Sequence, residues 1–180
     1  GGPANGGSFE PALDLNGRHV AFYSFGSNLV TGDTNDAADI FVRDTCLGAS
    51  GACTPKTVRV SVSSSGSEGN NGAFDPVITP DGRFVAFRSS ASNLVANDQN
   101  GVDDIFVHDR DADGDGIFDE PGAMATTRVS LGLNGEELQN PSATPALSAN
   151  GRYVAFMGDS QGSGVVELMF RDTCQGAPAG

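Results

Sequence analysis

Six acidic residues crowd into one short segment, from Asp109 to Glu120, and they are the strongest chemical signal in the chain. They alternate with other, mostly small residues, because the segment reads Asp-Arg-Asp-Ala-Asp-Gly-Asp-Gly-Ile-Phe-Asp-Glu. So many carboxylates would repel one another without a counter-ion. Carboxylate and carbonyl oxygens at alternate positions, with glycine allowing a sharp turn, are what Ca²⁺ takes as ligands. The segment predicts a calcium loop at residues 109–120, and a solvated acidic turn is the alternative.

Two registers of this loop fit a calcium site. A count from Asp109 gives the EF-hand pattern, which ends at Glu120. We favour a count from Asp111, because the position of Asp109 is acidic in every repeat of the chain and no helix is predicted beside the loop. The ligands in this second register are the carboxylates of Asp111, Asp113, Asp115 and Asp119 and the carbonyl of Ile117, with Glu120 or water completing the shell.

The three cysteines offer a second kind of chemistry. Cys46 and Cys53 flank six residues, so a disulfide between them would close a loop of eight. The alternative is two free thiols in a reduced protein. We predict the disulfide, and with it an oxidising location such as the cell exterior, the cell surface or the periplasm. Cys174 follows an Asp-Thr pair as Cys46 does, and we predict that it is free.

We predict structural roles for the other polar residues that recur in the repeats. The loops at 33–35 and 98–100 share an Asp-x-Asn pattern, which suits either a minor cation site or an Asx turn; we favour the turn. An arginine and an aspartate recur in each repeat, and we expect them to pair between strands: Arg18, Arg83 and Arg152 with Asp44, Asp109 and Asp172.

No catalytic site is predicted, so we do not expect an enzyme. Residues 158–162 match the G-x-S-x-G pattern of a nucleophile elbow, but that elbow requires a following helix and a later histidine. Both histidines lie earlier in the chain. His19 replaces an aromatic residue of the other repeats, which predicts a packing position, and His108 replaces an arginine, which predicts a polar surface position.

Three segments of the chain repeat one another, with spacings of 65 and 69 residues: Phe9–Phe22, Phe74–Phe87 and Ala143–Phe156. Each contains a proline and an Asp-Gly or Asn-Gly pair, which supplies the positive φ angles of a tight hairpin. No window keeps a helical period. The second repeat predicts four short antiparallel strands: Pro76–Thr79, Arg83–Ser89, Asp104–Asp109 and Thr126–Leu131.

The segment PVITPDGRFVAFRS resembles the Pro-Asp-Gly repeat of TolB-like, WD-repeat-like β-propellers. The acidic loop, read from Asp111, is similar to the calcium hairpins of integrin-type propellers. The resemblance implies an all-β fold of antiparallel four-stranded blades and a non-catalytic scaffold, often exported by bacteria. Residues 1–180 then form one partial propeller of about two and three-quarter blades, an incomplete ring: blade one at 9–63, blade two at 74–131 and blade three at 143–180, without its outer strand.

The charge and composition of the chain argue against some classes of binding partner. The chain has 23 acidic and 10 basic residues, a net charge of −13, which argues against nucleic acid because phosphate binding needs clustered Lys and Arg. No apolar run approaches the ~20 residues of a membrane helix, so no membrane insertion is expected. No signal-peptide pattern opens the chain, which suggests a mature or trimmed form. We expect a piece of a longer protein whose ring is completed by further blades or by self-association.

The sequence thus predicts a non-catalytic, calcium-stabilised extracellular scaffold or binding module, with a protein or glycan as ligand. One alternative is the propeller domain of a secreted hydrolase whose catalytic domain lies outside this chain. The other is a self-assembling surface or filament subunit.

Overall fold

The computed structural model describes residues 3–160 and 162–174. Gln161 and residues 175–180, which the predicted third repeat includes, lie outside the described residues. The described residues form strands, turns and bends, with no helix. The described residues accordingly include no helix that is long and apolar enough to cross a membrane.

Eleven strands build three antiparallel sheets within the described residues. Blade one consists of β1 (Ser8–Leu13), β2 (His19–Ser24), β3 (Asp39–Asp44) and β4 (Lys56–Arg59). Blade two consists of β5 (Ala73–Ile78), β6 (Phe84–Ser89), β7 (Asp104–Asp109) and β8 (Ala125–Arg128). Blade three consists of β9 (Ala143–Leu147), β10 (Tyr153–Gly158) and β11 (Glu167–Asp172). The predicted all-β fold of four-stranded antiparallel blades in an incomplete ring is confirmed.

The first strand of each blade carries a bulge. In blade two the pairing of β5 with β6 shifts between Phe74 and Val77, and Asp75 has a positive φ of 57°. Proline lacks an N–H group, so it is tolerated at a bulge without loss of a ladder hydrogen bond. The strand therefore begins at Ala73, earlier than the predicted start at Pro76.

The core lies between the blades. We call the face that a blade turns toward the next blade its trailing face, and the opposite face its leading face. Between blades one and two, trailing-face Ile40 and Val42 and leading-face Val85 and Phe87 share one fully buried cluster. Each such side chain contributes about 1.5–3 kcal/mol through burial. Trailing-face Ile105 and Val107 pack in the same way against blade three.

A ring packed on a glycine marks each contact between blades. The imidazole of His19 lies over Gly82, where a Cβ atom would come within 2.6 Å of Nδ1, and the ring of Phe84 lies over Gly151. Both glycines also have positive φ angles in their hairpin turns. His19 is thus a packing residue, as its aromatic counterparts predicted.

Candidate metal centre

The acidic segment forms the hairpin loop between β7 and β8. Its base is closed by two backbone hydrogen bonds, from the amide of Ala112 to the carbonyl of Ala123 at 2.7 Å and from the amide of Asp119 to the carbonyl of Arg110 at 2.8 Å. Gly114 and Gly116 adopt φ angles of +75° and +87°, which let the chain turn sharply. Residues 111–116 are thereby curled into a single tight turn.

Three carboxylates meet inside that turn. Oxygens of Asp111, Asp113 and Asp115 all lie within 4.8 Å of one another. Asp113 and Asp115 are exposed, whereas Asp111 is only 4% exposed. Two of the carboxylate oxygens accept hydrogen bonds from the turn itself, since Asp111 Oδ2 accepts from the amide of Gly116 at 3.2 Å and Asp115 Oδ1 accepts from that of Ile117 at 2.8 Å.

Asp111 has an oxygen that the protein does not satisfy. Its Oδ1 is buried and has no hydrogen-bond partner among the described residues. A buried charged oxygen without a donor costs more than the ~1–3 kcal/mol of a neutral group, so such groups are uncommon unless something binds them. The donor set fits a hard divalent cation, because three carboxylates at alternate positions supply hard oxygen ligands and negative charge.

Asp119 stands apart from this group. Both of its carboxylate oxygens accept from the guanidinium of Arg110, at 2.8 and 2.7 Å, and Lys56 Nζ of blade one lies 3.6 Å away. Arg110 is buried, also donates to the carbonyl of Gly82 at 2.7 Å, and lies over the ring of Phe118. This arginine is the internal counter-ion of the second half of the loop.

The remaining predicted ligands are Ile117, Glu120 and Asp109. The side chain of Ile117 is exposed, and its amide belongs to the turn as described. The carbonyl of Glu120 accepts from the amide of Ala123 at 3.1 Å. Asp109 accepts from Nε and Nη2 of Arg83 at 2.8 and 2.9 Å.

The pair of Arg83 with Asp109 recurs in every blade, as the repeats predicted: Arg18 pairs with Asp44, and Arg152 with Asp172. The hydrogen bond from Arg18 lowers the pKa of Asp44 to about 2. Asp109 is therefore one member of a series of structural pairs between strands.

Blade one closes the equivalent hairpin covalently. Cys46 and Cys53 form a disulfide between β3 and β4, with Cα atoms 5.7 Å apart. Cys174 is exposed and is not part of a disulfide. The same position after the third strand is thus cysteine in blade one and Asp111 in blade two, and in both cases the amide of this residue donates to the preceding aspartate.

Two further acidic clusters each surround an arginine. Arg59 Nη1 lies 3.8 Å from Asp33, 3.1 Å from Asp39 and 2.5 Å from Glu68. In blade two Arg128 contacts the three equivalent residues: Asp98, Asp104 and Glu137. Burial raises the pKa of Asp39 and of Asp104.

The guanidinium group of Arg59 or Arg128 thus occupies the position where the sequence allowed a minor cation site. Asn35 Oδ1 accepts from the amide of Ala37 at 2.9 Å, which is the Asx turn that we favoured. Sequence reasoning missed the arginines and the glutamates. A usable signal exists, because in both blades the glutamate follows the arginine by nine residues, from Arg59 to Glu68 and from Arg128 to Glu137.

A cleft of about 830 Å³ separates the disulfide hairpin from the acidic loop. Residues 116–118 of the acidic loop form part of its wall. The other lining side chains mix both signs of charge, and they include Arg18, Lys56, Arg110, Asp14, Asp44 and Asp81.

Solved β-propellers resemble the chain in structure. A putative TolB from Agrobacterium tumefaciens matches with a TM-score of 0.51 at 16% sequence identity, over 93% of this chain and 46% of that one. The fold is a TolB-like β-propeller. The β-propeller domain of the Trilobed protease from Pyrococcus furiosus has a TM-score of 0.44 at 14% identity, over 93% of this chain and 43% of that one. The chain spans about half the length of these structures, and no protein-family model or curated protein matches it.

Proposed function

We propose that this chain is a non-catalytic β-propeller module of a secreted protein, stabilised by one calcium ion and acting as a scaffold or binding surface. The observation that carries the proposal is the carboxylate of Asp111, whose buried Oδ1 lacks a partner among the described residues and which lies beside two further carboxylates. A cation bound there would satisfy this oxygen and remove the repulsion among the three acids.

The geometry supports the register that begins at Asp111. Asp109 already shares both oxygens with Arg83, so it is poorly suited to be the first ligand. We assign Asp111, Asp113 and Asp115 as carboxylate ligands, with the carbonyl of Ile117 and Glu120 or water completing the shell. Asp119 is engaged by Arg110, and its role is to hold the second half of the loop.

A calcium ion would act on stability rather than on chemistry. With about 1 mM free calcium and a dissociation constant on the order of 10 μM, mass action stabilises the folded state by about 2.7 kcal/mol. The loop joins β7 to β8, so its order determines how firmly the outer strand of blade two is held.

The disulfide supports an extracellular or periplasmic location, because such bonds persist in oxidising compartments. The ligand class that we propose is a protein or a glycan. The cleft beside the acidic loop is the place where such a ligand would meet both hairpins, and its mixed charges suit polar recognition.

Thermal melting with calcium and with a chelator tests this function. We expect 1 mM calcium to raise the midpoint by roughly 5–10 °C for a domain of this size. Asp111→Asn should abolish the rise, and in chelator it should be neutral or slightly stabilising because it removes a buried charge. Asp36→Asn is the matched control, since Asp36 is an exposed aspartate in another loop. Equal midpoints with and without calcium, together with no calorimetric binding, would show that the loop is an ordinary acidic turn.

A further inference from the structure

Among the described residues nothing packs on the trailing face of blade three, whereas a neighbouring blade packs on those of blades one and two. In blade one this face carries Ile40 and Val42, which are fully buried by blade two. The residues at the same positions of blade three are Leu168 and Phe170, and they are 75% and 68% exposed. Paired large apolar side chains at this exposure mark an interaction surface.

The two interfaces inside the chain show what this kind of face binds. Each pairs an apolar trailing face with an apolar leading face and places a ring over a turn glycine, as described above for His19 and Phe84. One backbone hydrogen bond between blades recurs in both interfaces. The amide of Ala73 donates to the carbonyl of Ala38, and that of Ser142 to the carbonyl of Asp103, both at 2.7 Å.

Blade one carries an unused leading face with the matching features. Val20 and Phe22 are half-buried, whereas their counterparts Val85 and Phe87 in blade two are fully buried. Gly17 is the glycine of the first hairpin turn. A Cβ atom there would meet only Leu47 Cδ2 at 3.8 Å, an ordinary contact, so the space that a neighbouring ring fills at Gly82 and Gly151 is open at Gly17.

We propose that the trailing face of blade three docks the leading face of blade one of a second copy of this chain, head to tail. In the register of the internal interfaces, the ring of Tyr153 would lie over Gly17 of the second copy. The carbonyl of Val166, which corresponds to that of Ala38, would accept from the amide of Ser8. The proposal continues an interface that the chain already forms twice, and it does not depend on calcium.

A second copy suits the dimensions and the charge of the chain. This chain matches 46% of the length of the TolB structure that it resembles, so the fold of that propeller accommodates a further stretch about as long as this chain. Each copy carries a net charge of −13, and two copies therefore repel one another. Screening by salt weakens that repulsion, so we expect association to strengthen as the salt concentration rises.

Sedimentation velocity over a range of concentrations tests the proposal on the 180-residue chain. Cys174→Ser is the background, because an exposed thiol can cross-link copies by itself. Phe170→Glu places a charge in the docking face, and Gly17→Asn adds a side chain under the incoming ring while tolerating the positive φ of 69°. Leu133→Glu is the control for added charge, since Leu133 is 93% exposed in the turn between β8 and β9.

We expect the background protein and Leu133→Glu to associate reversibly. Phe170→Glu and Gly17→Asn should each raise the dissociation constant at least tenfold. Both variants should still give the melting curve of a folded monomer. A protein that remains monomeric at high micromolar concentration in high salt would overturn the proposal. Association that survives both interface variants would overturn it too, because it would then use another surface.

Discussion

Blades one and two are built on the same register and differ in how they close one hairpin. The second and third strands pair residue for residue in the same way, with Phe22 opposite Phe41 in blade one and Phe87 opposite Phe106 in blade two. The hairpin that follows the third strand carries a disulfide in blade one and the acidic loop in blade two. The sheet is therefore a fixed scaffold, and the hairpin is the part that varies.

The same two blades also contrast two ways of handling negative charge. In each of these blades three acidic side chains surround a half-buried arginine, Arg59 or Arg128, which neutralises them from within the chain. In the acidic loop, Arg110 serves Asp119 but leaves the three carboxylates of the turn without an arginine. A cluster with its own cation is complete after folding, whereas we propose that the cluster without one takes an ion from solution.

The largest expected effect comes from removing an internal cation. Arg59→Met leaves Asp33, Asp39 and Glu68 together without a counter-ion, and Asp39 is fully buried. Breaking a buried ion pair from one side costs about 3–5 kcal/mol, so we expect a loss of that size in the free energy of unfolding. Urea denaturation in chelator measures it.

Arg43→Met is the matched control, because Arg43 is half-buried and donates to the neutral hydroxyl of Thr57. It should cost less than about 1 kcal/mol. Calcium should restore part of the stability of Arg59→Met, since the three freed carboxylates lie within 4.8 Å of one another. Equal losses in the two variants would mean that the arginine is not the counter-ion that we describe.

Sequence reasoning recovered the features that recur in every repeat. The Asp-Gly and Asn-Gly turns, the pairs between strands and the packing role of His19 all follow from comparing repeats, because each residue has a counterpart with the same task. It failed for residues outside the repeated strands. Glu68 and Glu137 lie in the connections between sheets, so only their repeated spacing of nine residues from the arginine could have indicated the contact.

His108 is the clearest failure of this comparison. It replaces Arg43 and Arg171, which predicted a surface position, yet it is fully buried. Its Nδ1 lies 2.8 Å from Thr126 Oγ1, and that hydroxyl donates to the carbonyl of Val62 in blade one. The imidazole ring of His108 is short enough to remain inside the interface between the blades, whereas a longer arginine side chain would extend out of that interface.

The burial of His108 makes blade two sensitive to pH. Desolvation lowers its pKa from 6.5 to about 4, so between these values the unfolded chain binds a proton that the folded chain does not. Stability from this group is fully present above pH 6.5 and is lost as the pH falls toward 4, by about 3 kcal/mol. His108→Gln, which cannot titrate, should flatten this part of the pH profile when unfolding is measured in chelator. An unchanged profile would place the sensitivity elsewhere.

A smaller effect is expected from opening the hairpin of blade one. Cys46→Ser removes the disulfide, and the chain-entropy estimate for a loop of this length is about 2.5 kcal/mol. Cys174→Ser is the control, because the exposed Cys174 is outside any disulfide and should leave the unfolding midpoint unchanged. The rise in melting temperature that we propose for calcium should survive in both variants, since the proposed site lies in blade two. A loss of that rise in Cys46→Ser would show that the two hairpins act together.

The smallest expected effect concerns a contact of opposite charges between the two hairpins. Lys56 Nζ lies 3.6 Å from Asp119, but the lysine side chain is 51% exposed, whereas Arg110 is buried and holds both oxygens of the same carboxylate. An exposed ion pair contributes about 0–1 kcal/mol, so Lys56→Met should change the free energy of unfolding by less than about 0.5 kcal/mol. Urea denaturation at low and at high salt measures this change. If the buried Arg110 is the main partner of Asp119, the change should be almost the same at both salt concentrations. A loss above 1 kcal/mol that disappears in high salt would show instead that blade one contributes a counter-ion to the acidic loop, and that the two hairpins are not independent.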